Sequence, residues 1–167
     1  MNKEFFQAAY TLEYTKRYSM SPVINYESVA SHSYFVALAV LLLSETYKFD
    51  VAKAIKIAIV HDVPEIEISD VNHLVKRNHP KLAGAIKEVE EEVIKKMPRV
   101  VEEHYLEYSK STVEAMIVHL ADAMQCSQYA KSEMALGNKG YMDQVLQNSE
   151  RRVFEIEEKL KEYKHAT

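Results

Sequence analysis

The chain has 167 residues, 47% of them apolar and 28% charged, which fits one folded globular domain spanning residues 1–167 and excludes a disordered or fibrous class. A formal net charge of −4 gives no general attraction to nucleic acid polymers or acidic membrane surfaces, so a phosphate site has to be built locally. Three Gly and four Pro favour long helices over many short strands, and the single cysteine, Cys126, excludes a disulfide framework and a thiolate-rich zinc site.

Phe6, Ala9, Tyr10 and Tyr14 recur at helical spacing, predicting a first helix over Lys3–Arg17. A loop with Pro22 and Asn25 follows. Ser28 and Ser31 are both candidate caps for a second, leucine-rich helix running to about Tyr47. Its longest apolar run, Val36 to Leu43, is too short to cross a bilayer. Asp50 caps a third helix, Val51–Val60, which closes on His61-Asp62, and Pro64 turns the residue before it away from helical geometry. Past Asp70 the chain reads as a polar loop with a short helical turn, in which His73 and His79, like His104 farther on, are expected at the surface. Amphipathic helices are predicted over Lys81–Lys96 and Val100–Tyr108. A long apolar helix spans Thr112–Leu136 and ends at Gly137-Asn138, and a charged one spans Tyr141–Tyr163. The expectation is an all-α domain of about six to eight helices.

Four ionisable residues sit uncomfortably in this pattern. His32 lies in the first turns of the leucine-rich helix, His61 and Asp62 close the third helix, and Asp122 interrupts an apolar stretch. A buried carboxylate is destabilising by at least several kcal/mol unless it is paired, protonated or bound to a metal. Singly, each has an ordinary structural explanation. Together, two imidazoles and two carboxylates make a ligand set for Mn²⁺, Co²⁺, Fe²⁺, Zn²⁺ or Mg²⁺, and a site that keeps open positions suits hydrolysis.

His32, His61-Asp62 and Asp122 on a helical chain resemble the HD-domain superfamily of metal-dependent phosphohydrolases. With Arg17, the box Glu27-Ser28-Val29-Ala30-Ser31-His32-Ser33, the stretch from His61 through Pro64-Glu65 to Asp70, and Ala121-Asp122-Ala123, the chain is similar to the bacterial 5′-deoxynucleotidase branch. The resemblance implies hydrolysis of nucleoside 5′-monophosphates, deoxy forms preferred, by an HD-type domain. It implies a divalent metal on His32, His61, Asp62 and Asp122, catalysis by Glu65 and Asp70, and substrate contacts from Arg17, Tyr18 and Ser33. Three positions depart from the branch: Tyr18 stands where tryptophan is usual, Ser69 where glycine is common, and the proline that commonly follows Asp70 is missing. The groups at phosphate and metal are kept, and the loop shaping the sugar pocket is what these positions alter.

On the residues alone, Glu65 is equally a carboxylate favoured at a helix start, Asp70 a turn cap, Arg17 a solvated charge and His119 a structural histidine. Two rivals therefore stand beside the nucleotidase: a hydrolase of another nucleotide or small phosphomonoester, and a nonenzymatic helical protein stapled by a metal. The resemblance also implies a homodimer, although the charged helices at 81–96 and 141–163 offer no apolar seam. The N-terminus lacks the pattern of a signal peptide, and the lone cysteine reads as core filler, so a reducing cytoplasm is the expected location.

Overall fold

The computed structural model describes residues 2–71 and 73–166, with the side chains of residues 73–74 and 164–166 outside the description. Nine α-helices occur among the described residues: α1 Lys3–Ala9, α2 Val29–Leu43, α3 Val51–Val60, α4 Glu65–Ile68, α5 His73–Asn78, α6 Pro80–Ile94, α7 Arg99–Tyr108, α8 Val113–Ala135 and α9 Gly140–Ala166. The fold is all-α, as the sparse Gly and Pro foretell. The extra elements beyond the expected count are the short α4 and α5, which carry the chain past the site.

The caps follow the sequence signals. The Oγ of Ser28 accepts from Ser31 N at 3.0 Å and starts α2, and Asp50 Oδ1 accepts from Lys53 N at 2.9 Å and starts α3. Gly137, at φ +108°, ends α8: its N–H donates to Met134 O at 3.0 Å and that of Asn138 donates to Glu133 O at 3.1 Å. That double bond pattern needs a residue free to adopt left-handed geometry.

Two boundaries differ from expectation. The first helix stops at Ala9 and tightens into a 3-10 turn over Tyr10–Glu13. Arg17 is thus on extended chain, not on a helix: Lys16 and Ser28 form an antiparallel bridge, with Arg17 N donating to Glu27 O at 2.9 Å and Val29 N to Thr15 O at 3.0 Å. The second helix ends at Leu43 instead of near Tyr47, because Ser44, Glu45 and Thr46 donate to carbonyls three residues back. His79 is exposed, whereas His104 is half-buried and its Nδ1 donates to Val100 O at 2.7 Å; the His73 side chain lies outside the described residues.

The core lies where α2, α3, α8 and α9 meet, around Val36, Val40, Ile57, Ile117, Leu120 and Leu160. Ala54, Ala58 and Ala121 are fully buried among them and let the helices approach closely. Each large side chain removed from water here stabilises the fold by roughly 1.5–3 kcal/mol. This packing fixes the relative positions of His32 on α2, the end of α3, and Asp122 on α8.

One face of α8 also holds a loop. Gln125, Tyr129 and Glu133 recur every four residues. The amide of Gln125 donates to Glu27 Oε1, and Tyr129 Oη donates to Asn25 O at 2.6 Å. The carboxylate of Glu133 accepts from the backbone N–H groups of Ile24 and Asn25, each at 2.7 Å. The strand of chain that carries Glu27 is thereby laid along the helix.

Candidate metal centre

His32 is one turn into α2, with its backbone N–H donating to Ser28 O at 3.0 Å. His61 caps the C-terminus of α3, and a tight turn, Val63 N to Val60 O at 3.1 Å, swings Asp62 toward α2. Asp122 reaches in from the middle of α8. The four side chains converge: His32 Nε2 is 3.3 Å from His61 Nε2, 3.4 Å from Asp122 Oδ1 and 3.5 Å from Asp62 Oδ2, and His61 Nε2 is 3.2 Å from Asp62 Oδ2.

The tautomers follow from the outer hydrogen bonds. His61 Nδ1 lies 2.8 Å from Ala58 O, and a carbonyl only accepts, so Nδ1 carries the proton and Nε2 presents its lone pair. His32 Nδ1 lies 2.7 Å from Gln125 Oε1, which faces it because the Gln125 amide donates to Glu27. Arg17 Nη1, 2.6 Å from the same Nδ1, donates to Glu27 Oε2 at 2.8 Å and to Gln125 Oε1 at 3.2 Å. Gln125 thus orients His32 from behind, and Glu27 and Arg17 hold Gln125 in place, the usual arrangement for a metal-binding imidazole.

Two imidazole lone pairs facing each other at 3.3 Å, ringed by two carboxylates, need positive charge between them. Without an ion that charge comes from protons. Burial alone would lower the His61 pKa, but the charges of Asp62 and Asp122 push it up to about 9. Asp122 shows the counterpart. Burial would raise its pKa, yet the His32 hydrogen bond and the Arg152 charge hold it well below the usual carboxylate range. The nearest donor separations are also those of neighbouring ligands around one ion, which for bonds of about 2.1 Å lie about 3.0–3.4 Å apart. His32, His61 and Asp122 are all buried and form a group that could hold a metal ion, with Asp62 Oδ2 beside both imidazoles. The donor chemistry fits a divalent cation.

A cavity of about 560 Å³ opens onto this cluster, within the size range of small-molecule sites. Glu65, in the first turn of α4, lines it three residues after Asp62. Its Oε2 is buried and has no hydrogen-bond partner among the described residues. Burial first, and then the charges of Asp62 and Asp70, push the Glu65 pKa up to about 10, which favours its protonated form. Asp70 also lines the cavity, and its Oδ2 accepts the Tyr18 backbone N–H at 3.0 Å. That bond draws Tyr18 to φ +56° and brings the segments on either side of the site together. The Tyr18 ring stacks on Tyr129, centroids 5.2 Å apart.

Seven of the sequence candidates therefore meet at or beside one cavity, and an eighth, His32, backs it. Ser33 is buried on α2 and does not line the cavity. His119 also lines the cavity, but its ring lies tilted against Tyr108 at 4.1 Å, its Nε2 is 3.1 Å from Tyr108 O, and it is not among the grouped ligand atoms. Burial is the main reason its pKa falls. Two functional side chains escape a reading of the sequence. Gln125 orients His32, and Arg152, on α9, donates from Nη2 to Asp122 Oδ2 at 2.8 Å. Arg152 belongs to the inner stripe of α9 with Ser149, Ile156 and Leu160, and a cation on that stripe is the available signal.

An all-α scaffold that gathers two histidines and two aspartates beside a cavity has the make-up of a metal-dependent phosphohydrolase. More particularly, the chain belongs to the YfbR-like 5′-deoxynucleotidase family, whose model matches residues 4–165, and it is a nucleotide phosphohydrolase. Solved structures agree on the fold. A conserved hypothetical protein from Pyrococcus furiosus is 32% identical with a TM-score of 0.76, over 96% of this chain and 99% of that one. A Pyrococcus horikoshii protein is 29% identical with a TM-score of 0.79, over 96% of each chain. An HD-domain phosphohydrolase from Listeria innocua is 22% identical with a TM-score of 0.79, over 95% of this chain and 82% of that one. No curated protein matches significantly.

Proposed function

We propose that residues 1–167 act as one HD-type domain that hydrolyses nucleoside 5′-monophosphates, deoxy forms preferred, to nucleoside and phosphate. His32, His61, Asp62 and Asp122 hold a divalent ion, with Co²⁺, Mn²⁺, Zn²⁺, Fe²⁺ and Mg²⁺ all compatible with mixed imidazole and carboxylate ligands. Such an ion, when bound, polarises a phosphoryl oxygen and acidifies water. The chain's own groups do the rest. Arg17, whose Nη1 is committed to Glu27 and Gln125 and whose Nη2 donates to the Cys126 thiol at 3.5 Å, lines the cavity and turns Nη2 to the phosphate when substrate binds. Asp70, with one oxygen tied to Tyr18 N, uses the other to orient the attacking water and to take the proton that the water loses as its oxygen bonds to phosphorus. As the bond from phosphorus to the 5′ oxygen breaks, the proton on Glu65 passes to the leaving oxygen. Ser33, outside the cavity wall, supports the site from within α2.

The observation that carries this reading is the buried Glu65 oxygen with no partner among the described residues, in the cavity wall three residues from a metal-binding aspartate. A metal that only stapled helices would need no such group. The test is phosphate release by metal-stripped protein resupplied with each ion, on dAMP, dGMP, dCMP, TMP and their ribose counterparts. Release from the deoxy set that needs metal, and that falls at least about 100-fold in Glu65→Gln and in Asp62→Ala, is the expected result. Full activity in Glu65→Gln would overturn the assignment of that carboxyl.

We propose a cytoplasmic location for a chain with a single, buried cysteine, and no described helix is long and apolar enough to cross a membrane. We also propose a homodimer through α2. This helix carries no Asp, Glu, Lys or Arg, and its outer stripe leaves Tyr34, Phe35, Leu38, Leu41 and Leu42 exposed. The stripe offers roughly 500 Å² of apolar surface, over half of one partner's usual share of an interface. An uncharged patch has nothing to attract a charged partner and is complementary to itself across a two-fold axis.

A further inference from the structure

One wall of the cavity is a single face of α9, where Tyr141, Gln144, Val145, Asn148, Ser149 and Arg152 recur at helical spacing. Arg152 marks the end nearest the cluster through its bond to Asp122. At about 1.5 Å per residue, Asn148 lies about 6 Å and Gln144 about 12 Å farther along the helix. Neither amide makes a hydrogen bond with another described residue. The Tyr18 ring, backed by Tyr129, packs into the same apolar group as Tyr141 and Val145. Elsewhere in the cavity wall Lys76 and Tyr105 both donate to Glu90, at 3.2 and 3.4 Å, so these three side chains already have partners.

A nucleotide has its parts in a matching order, with phosphate at one end, sugar next, and a flat base with a polar edge last. We propose that this face of α9 is the specificity surface of the substrate site. Asn148 hydrogen-bonds the sugar, Gln144 reads the polar edge of the base, and the base lies against Tyr18 and Val145. The proposal rests on the nucleotidase reading above. It also gives these amides a role: Gln144 is exposed and Asn148 half-buried, and each offers a donor and an acceptor that a ligand in the cavity can take over from water.

The experiment measures kcat and KM of Gln144→Ala, Gln144→Glu and Asn148→Ala holoenzymes on the four deoxynucleotides, AMP and 2-deoxyribose 5-phosphate. Binding of the four deoxynucleosides is titrated in parallel. One neutral hydrogen bond is worth about tenfold. Gln144→Ala should raise KM about that much for at least one base, reorder the four deoxynucleotides, and affect the base-free phosphate least. Gln144→Glu keeps the shape but loses the donor, and should reorder them differently. Asn148→Ala should shift the dAMP to AMP ratio several-fold. Values within twofold of wild type for every substrate and nucleoside would overturn the proposal. If wild type releases no phosphate, yet Gln144→Ala erases differences in nucleoside binding, the nucleotidase reading falls and the α9 surface stands. No nucleoside binding by any form would overturn the surface.

Discussion

Ser69 has the least comfortable backbone beside the site, with φ +62° and ψ 170°, a region that glycine alone visits freely. Its N–H donates to Glu65 O at 3.0 Å, and the next residue is Asp70, so the strained link sits between the two proposed catalytic carboxylates. Ser69→Gly should raise stability by about 1 kcal/mol and the unfolding midpoint by about 2–4 °C, read by thermal denaturation. Arg152 is the other residue whose part is written in one contact. Truncating it leaves Asp122 without its cation, and Arg152→Ala should weaken metal affinity about 10–100-fold in a chelator competition. Arg152→Lys, keeping the charge, should recover part of the loss. Unchanged affinity in both would make the ion pair a bystander.

At the scale of elements, α8 works by presenting both Asp122 and the row Gln125, Tyr129 and Glu133. Burial would raise the Glu133 pKa, but hydrogen bonds from Ile24 N, Asn138 and Asn25 N hold it below its ordinary value of 4.5. The unfolded chain then binds its proton at a higher pH than the folded one, so stability rises with pH between the two values. The contribution is complete above the ordinary glutamate pKa and is lost as pH falls through the lower folded value. Urea unfolding of Glu133→Gln should therefore give less stability than wild type at pH 7 and a shallower loss toward pH 3. Equal slopes would mean that the clamp carries no proton linkage.

The helices differ in what is legible in the sequence. His32, His61 and Asp122 stand out because an ionisable group among apolar helical residues requires a reason, and Ser28 and Asp50 because caps are local. Periodicity puts Arg17 on a helix, whereas its extended position depends on the bridge between Lys16 and Ser28 and on the Tyr18 bond to Asp70, neither visible locally. Gln125 and Arg152 stay hidden because polar residues on charged or mixed helices are expected to face water, and only packing turns them inward.

At the scale of the whole molecule, α2 has two occupied sides: His32 faces the cluster, and the apolar stripe faces outward. Leu42→Glu places a charge on that stripe at its most open leucine, 60% exposed. Sedimentation should show a dimer for wild type and a monomer for the variant, with far-ultraviolet circular dichroism unchanged. A monomeric wild type would remove the α2 interface.

The row on α8 has a bearing on where the chain tolerates a change of length. Gln125, Tyr129 and Glu133 hold Glu27, Asn25 and Ile24 at intervals of about 6 Å, the rise of four helical residues. One residue inserted between Gln125 and Glu133 would turn the far grip by about 100° and detach the loop from one end. Glu27, and with it Arg17 and His32, would lose its registration. A change of length is therefore far more disruptive in this stretch than in segments that no such comb engages.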